Sequence, residues 1–381
     1  MTPYLGAKRW KPAVLQDLVF LQRGFDITKA EQKNGEIPVI SSSGQSSWHS
    51  EAMVEGPGVI IGRKGSLGTV HYAEGSYWPH DTTLWSKSLQ GNNPRFVYYA
   101  LKCLGLERFN VGGANPTLNR NHIHGLPIHL ADRTTQDSIV TFLYAYDDLI
   151  ENNRRRIALL EDAARMLYRE WFIHFRFPGH EHVKMANGIP EGFKHRPLGQ
   201  VAVTNADSYA ARALPDEIAY IDIASVTLGC IVSRTRITSA EAPGRARRKA
   251  ADGDVIWSNV RPNLRAYALV LDPQYNDVFS TGFTVLTPQA VPFSWLYLFV
   301  TTDNFVAHLV NHATGAGYPA VRPDDFERAI AVVPPPRLLD LFHEATEANF
   351  RLISKLNAQS EKLAQARDLL LPRLMSGELA I

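Results

Sequence analysis

The sequence predicts an α+β fold built as an internal repeat: two β-rich blocks, each followed by one long helix. Three observations predict it. Two long helical patterns recur, NNRRRIALLEDAARMLYREWF at 152–172 and ANFRLISKLNAQSEKLAQARDLLLPRL at 348–374. Asn349 and Ile353 each stand 196 residues after Asn153 and Ile157. The β-like stretches also echo each other, because in GVIIGRKGSLGTVHY (58–72) and GDVIWSNVRPNLRAYALVL (253–271) Val255 and Ile256 follow Val59 and Ile60 at that same spacing of 196. A duplication of this size implies a protein that grips two copies of something, or two halves of one thing.

The first block runs from about residue 8 to 130. IPVISSS (37–43), GVIIGRKGSLGTVHY and TLWSKSL (83–89) are short strand-like runs separated by Gly and Pro. FVYYALKCLGLERF (96–109) is expected to be a helix inside this block. From about Thr135 to Phe172 glycine and proline vanish. Ile139, Leu143, Tyr146, Ile150, Asn153, Ile157, Leu160, Ala164, Leu167 and Trp171 alternate steps of four and three, a heptad seam. At roughly 1.5 Å per residue this stretch makes a rod of about 50 Å.

FPGHEHVKMANGIPEGF (177–193) breaks that helix, and a second β-rich block runs to about Val333. It contains an expected helix over 294–311. TGAGYPAVRPDDFERAIAVVPPP (314–336) is the counterpart of GGANPTLNRNHIHGLPIHL (112–130), with Pro319 standing 203 residues after Pro116. Each has an aliphatic residue two places after that proline, Val321 or Leu118. The second seam reads Leu339, Phe342, Thr346, Asn349, Ile353, Leu356, Ser360, Leu363, Arg367, Leu370, Leu374. Between the two seams the spacing moves from 196 to 203 residues, one heptad, which preserves phase. Both helices are therefore expected to pack against a partner helix, most simply each other. A polar residue such as Asn153 or Asn349 in a seam either fixes register at some cost in stability or reaches water.

The 381 residues, 45% hydrophobic, suffice for two domains with sizeable cores. A net charge of +2 leaves no strong global field, so a polyanion must be met by local patches. Cys103 and Cys230 lack metal-ligand spacing and read as reduced thiols. MTPYLGAKRW lacks a signal-peptide core, and no apolar run approaches the roughly 20 residues that cross a bilayer. A soluble cytoplasmic protein with no membrane partner is expected.

Catalytic patterns are thin. Asn93-Pro94-Arg95-Phe96 is only faintly like the motif of amino-methyltransferases and has no cofactor loop beside it. Gly315-Ala316-Gly317 is a lone GxG, and Glu31-Gln32-Lys33 lacks the upstream Pro-Asp of a nuclease. There is no phosphate loop, and neither His49, His71, His80 and Asp81 nor His174, His180, His182 and His195 have metal-site spacing. The expectation is a non-catalytic binding module with no cofactor and no metal.

The basic residues gather in turns. Arg63, Lys64 and Ser66 lie in IIGRKGSLGTV, where Gly62, Gly65 and Gly68 are expected to let the backbone approach a ligand. Asn115, Thr117, Asn119 and Arg120 follow the Gly112-Gly113 loop. In the second block Arg245, Arg247, Arg248 and Lys249 form a basic run, and Asn259, Arg261, Asn263 and Arg265 occupy the turn equivalent to that of Arg63. Tyr318 and Arg322 flank the second Gly-rich loop. Arg and Lys neutralise phosphates, while Arg and Asn pair bidentately with guanine and adenine edges, so these turns are candidate DNA readers. The alternative for any one of them is a solvated turn. Arg154, Arg155 and Arg156 on the helix follow a phosphate backbone, face solvent or meet a protein partner.

Three phrases carry a resemblance: GVIIGRKGSLGTVHYAEGSYWPHDTTL, TGAGYPAVRPDDFERAIAVVPPP, and LLLPRLMSGELAI at the end of the sequence. With the duplicated order of block and helix, the chain resembles the specificity subunit of type I restriction-modification systems. The resemblance implies two target recognition domains, 1–132 and 177–334, in pseudo-symmetric repeat. It implies helical spacers at 133–176 and 335–381 that pack as an antiparallel coiled coil. The helix-helix contacts would then come from Ile139, Leu143, Tyr146, Ile150, Asn153, Ile157 and Leu160 against Asn349, Ile353, Leu356, Leu363 and Leu370. Each domain would read half of a bipartite, asymmetric site in double-stranded DNA, with the helices setting the gap; about 50 Å spans roughly 15 base pairs. Two modification subunits, methylating adenine with S-adenosylmethionine, and ATP-dependent restriction subunits would be the protein partners, so no chemistry would reside in this chain. The competing reading is a coiled-coil scaffold whose two β-domains bind proteins and not DNA.

Overall fold

The structure, a computed structural model, describes residues 9–109, 117–210 and 213–381. Strands of the first block are β1 (Trp10–Val14), β2 (Phe20–Arg23), β3 (Ile37–Ser41), β4 (Gly44–His49), β5 (Gly58–Gly62), β6 (Val70–Ala73), β7 (Trp78–Pro79), β8 (Thr83–Ser88) and β9 (Pro127–Ala131). Its helices are α1 (Leu15–Leu18), α2 (Pro94–Cys103) and α3 (Arg120–Ile123), and the long α4 (Arg133–Tyr168) follows. A short hairpin, β10 (Met185–Ala186) and β11 (Ile189–Pro190), leads into the second block. That block holds β12 (Lys194–Pro197), β13 (Ala202–Thr204), β14 (Glu217–Ile221), β15 (Val226–Ile231), β16 (Thr235–Thr238), β17 (Ala246–Arg248), β18 (Val255–Ser258), β19 (Tyr267–Leu269), β20 (Asp277–Ser280), β21 (Phe283–Pro288) and β22 (Ile330–Val333). Helices α5 (Phe293–Val300), α6 (Asp303–His312) and α7 (Pro323–Glu327) lie within it, and α8 (Pro336–Met375) comes last.

The chain divides into two compact units, one of Met1–Asn152 with Ser360–Ile381 and one of Asn153–Gln359. In the first, β1 pairs antiparallel with β9, so the segments leading into and out of the block are clamped together. One sheet has the order β2-β8-β5-β6 and a second the order β4-β3-β7, with β3 antiparallel to β4 and parallel to β7. Every residue of β5 (GVIIG) is buried, as expected for an apolar run between covered faces. Helix α2 starts where Asn93 accepts hydrogen bonds from the Arg95 and Phe96 N–H groups, with Pro94 at the first position. Asn93-Pro94 is thus a helix start. Gly105, left-handed at φ 59°, ends the helical run, so the expected 96–109 helix stops at Cys103 before a short 3-10 turn.

In the second unit β12 pairs antiparallel with β22, and the sheets run β13-β21-β18-β19-β15 and β16-β14-β20-β17. The shared parts correspond strand for strand: β2-β8-β5-β6 matches β13-β21-β18-β19, and antiparallel β3/β4 with parallel β3/β7 matches β14/β16 with β14/β20. Among the described strands, β15 and β17 have no counterpart in the first sheets. The expected 294–311 helix is two helices, because Thr302 caps α6 by accepting from the Phe305 N–H. Helix α5 is buried on nearly every face, with Trp295 and Leu296 fully inaccessible.

Both long helices contribute to the core of each unit. In the first, Ile139 and Leu143 of α4 join Leu371 and Leu374 of α8, and Arg367 ion-pairs with Asp147 at 2.5 Å. In the second, buried Asn153 donates to Gln359 Oε1 at 3.1 Å, while Phe342 packs on Phe172 at 4.9 Å and on Tyr168 at 6.1 Å between ring centroids. Asn153 therefore meets Gln359, and Asn349 is half-buried beside buried Phe350 and Ile353. The seam residues Ile150 and Leu356 are buried; Tyr146, Ile157, Leu160, Leu363 and Leu370 are half-buried. Near its end α4 buries Tyr168 and Phe172 more deeply than the seam residues Leu167 and Trp171, which pack half-buried against the same core. A straight helix of 3.6 residues per turn drifts against a 3.5 repeat, and the π turn Arg169–Ile173 adds to the rotation. Gly377, at φ 73°, follows the end of α8; a Cβ there would lie 2.9 Å from Trp10 Nε1, so the MSGEL phrase needs glycine at this point.

Candidate nucleic-acid interface

The turns singled out in the sequence meet in pairs within each unit. In the first, the loop joining β5 to β6 carries Arg63, Lys64 and Ser66. The Leu118 N–H donates to Arg63 O at 2.9 Å and Lys64 bridges Thr117, so this loop lies beside the segment carrying Asn119 and Arg120. In the second, the loop joining β18 to β19 carries Asn259, Arg261, Asn263 and Arg265. The Val321 N–H donates to Asn259 O at 2.9 Å and the Arg261 N–H to Pro319 O at 2.7 Å, which sets Tyr318 and Arg322 next to it. The same backbone connection thus recurs at equivalent positions. Asn115 lies outside the described residues, as does the Gly112-Gly113 loop.

Within the first loop Lys64 and Ser66 are exposed and Arg63 is half-buried. Desolvation, and secondarily the neighbouring Arg23, lower the Arg63 pKa, while Asp81 opposes this. Two of the glycines are required by packing: a Cβ on Gly62 would sit 2.0 Å from Ser66 O, and one on Gly68 would sit 2.4 Å from Glu107 N. They allow the loop to fold on itself and onto the protein. The turn between β7 and β8 braces the loop, because the Arg63 and Lys64 N–H groups donate to Thr82 O at 2.8 and 3.1 Å. Asn119 caps α3 by accepting from the Asn121 N–H, and Arg120 is the first residue of that helix.

In the second unit Arg261 and Arg265 are both left-handed, at φ 50° and 54°, and bracket the turn Pro262–Leu264. Pro262 is buried and anchors the turn; Asn263 and Leu264 project into solvent. The Arg261 guanidinium lies 4.5 Å from the centre of the Tyr318 ring and donates to Gly317 O at 3.3 Å. Arg265 pairs with Asp303 at 2.5 Å. Asn259 is committed internally, its Oδ1 accepting from Thr284 Oγ1 at 2.7 Å.

The basic run forms the edge strand β17 and its flanks. Thr281 N–H donates to Arg245 O at 2.7 Å and the Asn259 N–H to Gly282 O at 2.8 Å, so both basic segments border one turn between β20 and β21. Arg245 is exposed. Arg247 Nη1 donates to Ala246 O and Arg248 Nη1 to Ser208 Oγ. Lys249 pairs with Asp207 at 2.9 Å, which raises the lysine pKa, and its ammonium lies 4.5 Å from the Tyr209 ring centre. Arg247, Arg248, Lys249, Arg261 and Arg265 therefore each already hold a protein partner, Arg261 while remaining exposed, and Arg245, Asn263 and Arg322 face solvent.

Sequence reading missed the acids and Arg23. Arg23 and Asp81 meet at 3.1 Å across 58 residues, and Arg265 meets Asp303 across 38. Neither pairing has a local signal. The histidine rings of the first block are engaged: His49 Nδ1 accepts from the Lys33 N–H, His71 Nε2 lies 3.1 Å from Ser42 O, and His80 Nδ1 lies 3.0 Å from Thr82 Oγ1. Among the described residues no three His, Cys, Asp or Glu side chains form a metal-binding group, and no helix is long and apolar enough to cross a membrane. Neither Cys103 nor Cys230 is in a disulfide, and burial pushes the Cys103 thiol up to about 11.

Residues 7–162 match the family profile of the type I restriction modification DNA specificity domain. Two relatives are type I restriction enzyme specificity subunits. The MjaIX subunit of Methanocaldococcus jannaschii is 23% identical over 299 residues, 75% of this chain and 69% of the relative. The HindI subunit of Haemophilus influenzae is 19% identical over 331 residues, 70% and 72% of the two chains. The crystal structure of a type I restriction-modification system S subunit from M. genitalium superposes with a TM-score of 0.63 at 16% identity, covering 98% of this chain and 99% of that one. The fold matches that of the M. genitalium S subunit, residues 7–162 match the specificity-domain profile, and both relatives align over most of the sequence; the chain is similar to type I restriction-modification specificity subunits.

Proposed function

We propose that this chain is the DNA sequence-recognition subunit of a type I restriction-modification complex. The observation that carries the reading is the match of the first block to a DNA specificity domain. It is supported by the recurrence, in both units, of an Arg-bearing hairpin loop hydrogen-bonded to a second polar segment. The relatives favour it over a scaffold that does not bind DNA.

The finer reading follows. Residues 1–132 and 177–334 are two target recognition domains in pseudo-symmetric repeat, each reading half of a bipartite, asymmetric site. The matching strand orders support the repeat. Residues 133–176 and 335–381 are spacers packed as an antiparallel coiled coil that sets the gap and docks modification subunits. The descending partner order supports this, with Asp147 against Arg367, Asn153 against Gln359 and Phe172 against Phe342. The subunit is non-catalytic and acts in the cytoplasm beside two modification subunits and the restriction subunits. Exposed Arg, Lys and Asn side chains of the loops contact phosphates and base edges.

The test is a salt-dependent titration of the chain, assembled with its modification subunits, against a randomised duplex pool. Enrichment of a bipartite motif is expected. Equal binding of all duplexes refutes the proposal.

A further inference from the structure

A sheltered acid stands among the cations beside the Arg63 loop of the first unit. Asp81, in the turn between β7 and β8, places its carboxylate 3.1 Å from Arg23 Nη2, 3.9 Å from Lys64 Nζ and 3.1 Å from His80 Nδ1. Its backbone oxygen accepts from Arg63 Nη1 at 3.4 Å. The carboxylate is sheltered, with 15% of its side chain accessible, against 50% for Arg23 and 47% for Lys64 above it. Asp26 also approaches Arg23, at 3.4 Å, but is 81% accessible and holds it weakly. In the second unit the equivalent turn is Thr281–Gly282, with no carboxylate at that point.

A fixed negative charge beneath a cationic cluster has two opposed effects on a polyanion. It subtracts from the attraction of any phosphate, whatever the sequence. It also holds a guanidinium in one orientation, which a bidentate contact to a base edge requires. We propose that Asp81 is a specificity-determining positioning residue: it orients Arg23 and Lys64 beside the Arg63 loop and suppresses sequence-independent binding. The inference rests on the reading of this loop as a DNA reader.

The test uses the full chain assembled with its modification subunits. A motif enriched from a randomised duplex pool is compared with a non-enriched duplex of equal length, for the parent and for Asp81→Asn. The variant is expected to bind the non-enriched duplex more tightly, with a steeper salt dependence. Its preference for the enriched duplex should fall roughly tenfold. Asp81→Glu, which keeps the charge, should restore the weak non-specific binding. Arg23→Gln should lose preference too, and the double variant with Asp81→Asn should lose no more than the single ones, since both act through one pair. An unchanged preference ratio in Asp81→Asn, an equal loss on both duplexes, or additive losses in the double variant would overturn the assignment. A parent complex with no sequence preference would overturn the DNA-reader reading itself, and a parent with preference alongside an unaffected variant overturns only the role of Asp81.

Discussion

Arg261→Gly separates the stability of the second loop from its binding role. Arg261 is left-handed at φ 50°, ψ 63°, a conformation that costs a non-glycine residue about 1 kcal/mol. Glycine relieves that cost and keeps the 2.7 Å hydrogen bond from the residue 261 N–H to Pro319 O. What is lost is the stack on Tyr318, whose ring is 73% exposed, worth about 0.5–1 kcal/mol at such a site, and a long 3.3 Å hydrogen bond to Gly317 O. The two terms nearly cancel, so the unfolding free energy should change by less than about 1 kcal/mol. A guanidinium on a base edge contributes about 1–3 kcal/mol, so DNA affinity should fall roughly 5- to 150-fold. Chemical denaturation and duplex titration on the same preparation measure both. The salt slope then assigns the contact: a slope lowered by about one marks a phosphate, and an unchanged slope with relaxed sequence preference marks a base. Unchanged DNA affinity, or destabilisation beyond about 2 kcal/mol, would refute the reasoning.

Phe342→Ala should destabilise the second unit by about 3–5 kcal/mol, because the ring is fully buried among Tyr168, Trp171 and Phe172; the denaturation midpoint reads this. In the first unit Asp147 accepts from Tyr99 Oη and pairs with Arg367, both at 2.5 Å, and Asp147→Ala strands the Tyr99 hydroxyl and leaves Arg367 with Asp368 alone, at 2.7 Å. A loss of about 2 kcal/mol is expected, visible as faster amide exchange in α2 and the end of α8. Hydrogen bonding from Arg351 holds the Asp252 carboxyl below its usual range. A carboxyl depressed by folding stabilises above its unfolded value of about 3.9 and loses that contribution as pH falls through the folded value. Both side chains are partly exposed, so a difference of only about 0.5 kcal/mol between parent and Asp252→Asn is expected near neutrality, declining once pH falls below about 4 and lost below the folded value.

Local patterns determined much of the fold. The apolar runs at 58–62 and 255–258 became buried strands, and the absence of Gly and Pro over 135–172 became α4. Such signals concern neighbours in the chain, where the period of apolar residues selects strand or helix directly. The GVIIG and DVIWS runs each became a strand paired on both sides within its sheet, β5 between β8 and β6 and β18 between β21 and β19. The loops rich in Arg and Asn were legible as groups, but not their surroundings.

Tertiary structure decided the rest. Whether a seam stays in phase depends on accumulated helical twist, and Tyr168 and Phe172 are buried more deeply than the seam residues Leu167 and Trp171. Which basic groups remain open depends on acids far along the chain. Asp303 engages Arg265, Asp207 engages Lys249, and Asp81 gathers Arg23 and Lys64. The sequence alone determined that this protein carries two strand frames, two long helices and basic turns, because each is written in contiguous residues. Only the folded chain decided that a hairpin loop and a second polar segment meet in each unit, and which charges are neutralised there. Coulomb and hydrogen-bond energies depend on distances of a few ångströms, which sequence separation does not encode.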